Sequence, residues 1–278
     1  MRSIPSPAID DFAALDDLKK SPAAAAKAIR GSHLEIQSQF LAYIAAGGDP
    51  WQVLAAPALA PLRPHFEDLY DSPPKAISYI KPLRKQSLTG ACPMCGRDNL
   101  GTLDHYLPQS THPEFCFLSK NLVPACSRCN TARGNAVQGG AAGQRALHPY
   151  FDAFASQRVM SIRLVPDWRA PEITPVPFNV NGQVADIIQW QIDNVVVPSG
   201  FVDYAAPIWG TLVNEPKKVL GNVSTVAAVR ARLQQLEDDD AALSKSENSW
   251  RSCIFHGIRM DAGAVGFLVN TLAAALAL

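Results

Sequence analysis

Apolar positions follow three different rhythms along this chain. Over residues 1–87 they recur at helical spacing in short, alanine-rich runs, at 23–30, 34–46 and 51–59, with Pro57, Pro61, Pro64, Pro73, Pro74 and Pro82 cutting the pattern into pieces. Over residues 88–152 aliphatic periodicity fades. Cys, His, Asn, Pro and Gly dominate instead, as expected of a module organised by a metal rather than by a core. Residues 153–278 open on β-branched, partly alternating segments at 159–165, 173–180 and 185–197. Asn181-Gly182 gives a hairpin signal between the last two. Helical patterns follow at 204–214, 223–243 and 249–260. Glu237-Asp-Asp-Asp240 interrupts them and reads as a solvated face or a turn. The expected class is α+β: a helical N-terminal region (1–87), a small central module (88–152) and a strand-then-helix C-terminal region (153–278) that binds substrate or a partner.

Residues 262–278 are almost wholly apolar, yet short for a membrane span, and they include Asn270 and Thr271. A helix packed into the core or against a partner is the expectation, with no membrane association. The N-terminus, Met-Arg-Ser-Ile-Pro-Ser-Pro, lacks the apolar run of a secretion signal, which points to the cytoplasm.

That compartment changes how the 6 cysteines are read. Where thiols stay reduced, paired Cys-x-x-Cys motifs are metal ligands before they are disulfides. Cys92/Cys95 and Cys126/Cys129 make a four-thiolate set that closes the tetrahedron of a structural Zn²⁺ and leaves no open position for chemistry. Cys116 and Cys253 fall outside the pairs and read as small buried apolar residues.

Chemistry must come from the residues between and after the cysteines. Leu103-Asp104-His105 places a hard oxygen ligand beside an imidazole. The first suits Mg²⁺ or Mn²⁺; the second, with an ordinary pKa of about 6.5, can take a proton from water near neutrality. Asn130 directly follows the last cysteine, so zinc would fix its direction and offer its amide oxygen to the same cation. Asn121 is placed to hydrogen-bond the loop carrying His105.

In order, Cys-x-x-Cys, Asp-His-x-x-Pro, Asn-Leu and Cys-x-x-Cys-Asn resemble the HNH, or ββα-metal, endonucleases, in the subgroup with a four-cysteine zinc. The resemblance spans residues 92–133, with an extension to His148-Pro-Tyr-Phe-Asp152. It implies a β-hairpin and helix clamped by zinc, with Asp104 as metal-binding acid and His105 as general base. Asn121 would be the structural asparagine, and Asn130 the helix residue that completes the metal shell. It further implies hydrolysis of DNA phosphodiesters to 5′-phosphate ends. It also implies a place in bacterial anti-phage or mobile-element systems, with an ATPase as a possible protein partner. His148 stays open between a third ligand to the catalytic cation, a phosphate contact and a packed or capping histidine. His112 reads as a loop residue or at most a substrate contact, and His33, His65 and His256 as structural histidines.

The total formal charge of +0 carries no global signature of a nucleic-acid binder. Locally, residues 81–133 hold seven basic side chains against three acidic ones, with Lys81, Arg84, Lys85, Arg128 and Arg133 the candidate backbone contacts to double-stranded DNA. The alternative is a non-catalytic zinc module that binds nucleic acid or a protein partner. Such a module needs none of Asp104, His105 and Asn130.

Overall fold

The structure, a computed structural model, describes residues 1–85, 90–98 and 101–276. The expected boundary between residues 87 and 88 lies outside these. The N-terminal region is helical: α1 (Asp11–Leu18), α2 (Ala24–Ile29), α3 (His33–Ala45), α4 (Arg63–Asp71) and α5 (Ile80–Lys85). The Asp10 carboxylate starts α1 by accepting from the backbone N–H groups of Phe12 and Ala13 at 3.1 and 2.9 Å. Residues 51–59, expected as helix, are turns. The Asp49 carboxylate binds Trp51 N at 2.9 Å and Gln52 Nε2 at 3.1 Å, and this side-chain-held turn competes with helix.

In the central region, β1 (Thr102–His105) and β2 (Leu122–Ala125) pair antiparallel, with Asp104 opposite Val123 and His105 opposite Leu122. Helix α6 (Ser127–Arg133) follows at once. Its N-cap is Cys126, whose sulfur accepts from Cys129 N. Two strands and a helix thus carry every residue singled out between the cysteine pairs except those of the connecting loop.

The third region begins with a second antiparallel pair, β3 (Met160–Val165) and β4 (Glu172–Pro177). The expected third strand at 185–197 is instead helix α7 (Gly182–Gln191), continued by a π-turn over Ile192–Val196. Its Ile187, Ile188, Trp190, Ile192, Val195 and Val196 are all buried. Its exposed Gln183, Asp186, Gln189 and Asp193 recur at helical spacing, a polar stripe that the β-branched residues between them obscure in the sequence. Asn181-Gly182 is therefore the start of that helix rather than a hairpin turn.

The remaining helices are α8 (Phe201–Asn214), α9 (Pro216–Leu220), α10 (Val226–Ser244), α11 (Trp250–Met260) and α12 (Ala262–Leu276). The acidic run 237–240 lies inside α10 and is only partly solvated. Buried Glu237 accepts from Arg158 at 2.9 Å and Arg259 at 2.8 Å, and Asp240 caps α11 through Ser252 N. No single described helix is long and apolar enough to cross a membrane. Helices α11 and α12 meet at 88°, and α12 buries Ala264, Val265, Leu268 and Leu272.

The first residues stitch the central region to the C-terminal one. The Met1 amine donates to Asn248 O at 3.0 Å, Arg2 N to Pro93 O at 3.1 Å and Ile4 N to Pro149 O at 2.9 Å. Fully buried Gln191 adds a second tie, accepting from Leu147 N at 2.9 Å and donating to Met94 O at 2.7 Å.

Candidate functional site

The sulfurs of Cys92, Cys95, Cys126 and Cys129 all lie within 4.8 Å of one another, and all four residues are buried. Cys92 and Cys129 are 3.7 Å apart at sulfur, Cys95 and Cys126 3.6 Å. A disulfide needs about 2.05 Å. Sulfurs about 2.3 Å from a tetrahedral zinc stand about 3.8 Å from each other, so the spacing fits the metal. Backbone N–H groups of Cys126, Cys129 and Arg97 donate to Cys92, Cys126 and Cys95 sulfur at 3.3, 3.4 and 3.5 Å, drawing off thiolate charge. Gly96 closes the first knuckle at φ +87°. A Cβ there would lie 2.2 Å from Asn248 O, so only glycine fits. These four cysteines can hold a structural zinc.

Zinc at Cys126 and Cys129 would anchor the first turn of α6, and α6 lies against β1. Asn130 Nδ2 donates to Thr102 Oγ1 at 3.2 Å; three residues on, Arg133 Nη2 donates to Asp104 Oδ2 at 2.7 Å. Thr102 and Asp104 share one strand face, so one helix–strand contact gathers Asp104, Asn130 and Arg133. Burial pushes the Asp104 carboxyl up, and the Arg133 guanidinium pulls it back down.

Arg133 is not the surface phosphate contact expected of it. It is 4% exposed and donates also to His105 O, Tyr106 O and Ala136 O at 2.9, 3.1 and 3.1 Å. The charge that reads as a DNA contact in sequence is an internal clamp on the end of β1. Only the convergence of three carbonyls and a carboxylate reveals this, and local sequence carries no sign of it.

His105 is half-buried at the strand end. Its Nε2 stands 3.0 Å from Cys116 O and 2.9 Å from the Gln109 amide. The carbonyl can only accept, so Nε2 carries the proton; Gln109 approaches it with its amide nitrogen, which suits that N–H only with the amide turned over. Nδ1 is left as the acceptor, with no partner among the described residues. Burial lowers the ring's pKa to about 4, and Arg84 and Arg133 push the same way, so the imidazole is neutral. Tyr70 stands edge-on to it at 4.4 Å, and Arg84 lies 4.0 Å over the Tyr70 ring. Tyr70, Gln109 and the Cys116 carbonyl are the partners that the sequence does not disclose.

Fully buried Asn121 holds the loop after His105. Its Oδ1 accepts from Leu107 N at 2.7 Å, and its Nδ2 donates to Leu107 O and Phe115 O at 3.1 and 3.2 Å. Tyr43 of α3 donates to the same Oδ1 at 3.1 Å and stands 2.9 Å from His148 Nε2. Tyr150 N donates to His148 Nδ1 at 3.2 Å. Both His148 ring nitrogens are thus committed, and the ring is fully buried 4.1 Å from that of Tyr106. The structure excludes His148 from the set of expected cation ligands in this arrangement and makes it a packed histidine that supports Tyr43. His112 stacks on Phe115 at 5.8 Å in the same loop.

Of the other basic candidates, Lys81, Arg84 and Lys85 are exposed on α5, which packs against β1 and β2, and Arg128 is exposed on α6. Arg84 is the one linked to the His105 environment, through Tyr70.

A stretch of 64 residues is 39% identical to protein ea31 of Escherichia phage lambda, covering 22% of this chain and 21% of that protein. The match therefore spans about a fifth of that relative's length. No family model matches the chain, and no solved structure matches it.

Proposed function

We propose that the chain is a metal-dependent HNH-type endonuclease that hydrolyses DNA phosphodiester bonds. The observation that carries this reading is the state of His105: Nε2 is fixed by the Cys116 carbonyl, and Nδ1 is left as a neutral acceptor at the end of β1, the strand that packs against α6. A ring so held is neutral and open at Nδ1 to accept a proton, though its lowered pKa of about 4 makes it a weaker base than free imidazole. It takes the proton of a water at Nδ1 as that water attacks phosphorus, and the Cys116 carbonyl stabilises the imidazolium that forms.

Asp104 and Asn130 offer hard oxygens across the contact between β1 and α6, a donor set that fits Mg²⁺ or Mn²⁺ better than a soft metal. Such an ion, when bound, supplies Lewis-acid stabilisation of charge on the phosphate and the leaving oxygen. Two protein donors leave room for the waters that Mg²⁺ keeps. Arg133 occupies Asp104 Oδ2 and holds the carboxylate in place, while the Asn130 amide oxygen has no partner among the described residues. Arg84, Lys81 and Lys85 would receive the DNA backbone beside His105, and Arg128 would extend the basic surface. The nuclease effector of an anti-phage system, acting with an ATPase partner, is one setting that suits such an activity.

One observation favours a second reading. The Asp104 carboxylate is already neutralised by Arg133, as it would be in a non-catalytic zinc module that only binds nucleic acid or protein. Incubating the purified protein with supercoiled plasmid and Mg²⁺ or Mn²⁺ separates the two. Nicked or linear product with 5′-phosphate ends supports the enzyme; retention of DNA without cleavage supports the binding module.

A further inference from the structure

A concavity opens beside α6, away from His105. Between α6, α8, α9 and α11 lies a cavity of about 460 Å³, which is the size of a small-molecule site. Ile208, Leu212, Val219 and Phe255 give it an apolar floor. Arg97, Arg128 and Arg251 stand around it. It shares Arg128, Gly200 and Asp203 with a groove that continues along Ser127 and Thr131 of α6.

The arginines are arranged as a receptor for an anion. A methyl group on Gly200 would lie 3.8 Å from Arg128 Nη1 and 4.0 Å from Arg97 Nη1, so two guanidinium groups converge on one point. Gly200 is also the N-cap of the 14-residue helix α8, whose first N–H groups have no helical partner. No carboxylate among the described residues forms an ion pair with Arg97, Arg128 or Arg251. Asp98 feels both Arg97 and Arg251 without closing on either. Asp240, nearby, is engaged by Ser249 and Ser252 at the start of α11.

Arg97 is preorganised. It donates to Ser199 O at 3.3 Å and lies 5.1 Å from the Trp250 ring and 5.9 Å from that of Tyr204. Two guanidinium groups that converge beside an apolar floor without a carboxylate closing on either can receive an anion with charge-assisted hydrogen bonds. The floor asks that the anion carry a flat or apolar body. The one carboxylate in the lining, Asp203, offers an acceptor for hydroxyl or amino groups.

We propose that this cavity binds a nucleotide, with its phosphate between Arg97 and Arg128, its base on Ile208 and Phe255, and its sugar toward Asp203. The source is either a free mononucleotide or one nucleotide of a nucleic-acid strand. The site is separate from His105, so it stands whether or not the nuclease reading holds.

Isothermal titration calorimetry on the full, zinc-loaded chain tests this with 5′-AMP, ATP, adenosine, inorganic phosphate and a single-stranded 12-mer as probes. Saturable binding of a mononucleotide or of the 12-mer is expected, stronger than adenosine or phosphate alone. Tighter mononucleotide binding identifies a soluble ligand, and tighter 12-mer binding identifies a strand. Arg128→Ala and Arg251→Ala should each weaken binding by about tenfold or more, the loss of one charged contact. Both side chains are exposed and form no ion pair, so zinc content and melting temperature should hold. Ile208→Trp, which fills the cavity, should block the base without touching an arginine. The proposal is overturned if no nucleotide probe saturates, if phosphate alone binds as tightly as the nucleotides, or if all three variants bind like the wild type.

Discussion

Arg133 Nη2 lies 2.7 Å from Asp104 Oδ2, and both side chains are almost wholly buried, at 1% and 8% exposure. The pair ties the last helix position of the ββα unit to the strand that carries His105. Breaking a buried pair from one side leaves an uncompensated charge and costs about 3–5 kcal/mol. Arg133→Gln should therefore lower stability by roughly that amount. Asp104→Asn should cost less, because Arg133 keeps its three carbonyl partners. Urea denaturation of the two variants checks the order; equal losses would mean that the carboxylate is not the main partner.

The four cysteines should bind one zinc per chain, and that zinc should be needed for folding rather than for chemistry. Elemental analysis is expected to give one equivalent. Cys126→Ser should lose both the metal and the fold around α6. Near-native far-UV circular dichroism with full zinc content in that variant would contradict the assignment.

Tyr43 joins His148 to Asn121, and through Asn121 to the loop after His105. Tyr43→Phe removes one hydroxyl and leaves His148 Nε2 without its buried partner. A loss of about 1–3 kcal/mol is expected, with faster amide exchange at Leu107, whose N–H is held by Asn121. Unchanged exchange there would show that the loop does not depend on α3.

Glu114 is fully buried, and neither carboxylate oxygen has a hydrogen-bond partner among the described residues. Burial pushes its carboxyl up to about 7, and Glu35 adds repulsion. The folded state therefore holds this proton more tightly than the unfolded chain, whose glutamate titrates near ~4.3. The stabilising contribution is complete below that value and is lost as pH rises through about 7. Melting temperatures between pH 5 and 8 should fall for the wild type and flatten in Glu114→Gln. Parallel curves would contradict the burial argument.

How much of this the sequence discloses follows from the range of each interaction. The four-cysteine cluster that could hold zinc is legible because two residues of spacing suffice to point two sulfurs at one ion. Asp104, His105 and Asn121 stand out in the sequence because they lie between the cysteine pairs, and Asn130 because it follows the last cysteine; the fold brings Asp104 and Asn130 to one contact between β1 and α6. Residues 185–197 mislead because their β-branched run outweighs, in the sequence, the exposed polar positions Asp186, Gln189 and Asp193 that recur at helical spacing. Arg133 and Glu237 mislead for the opposite reason: charged residues read as surface, and only the folded chain supplies the carbonyls, the carboxylate or the arginines that admit them to the interior. His148 fails as a ligand on the same ground, since Tyr43 and Tyr150 come to it from distant and neighbouring segments at once.

The most direct test of the central claim compares plasmid cleavage by wild type and His105→Ala at matched zinc content and melting temperature, in the presence of Mn²⁺. Loss of the general base should slow cleavage by about 10²–10⁴-fold, while zinc content and fold stay unchanged. Equal cleavage rates in the two proteins, or no cleavage by the wild type under any divalent cation, would contradict it.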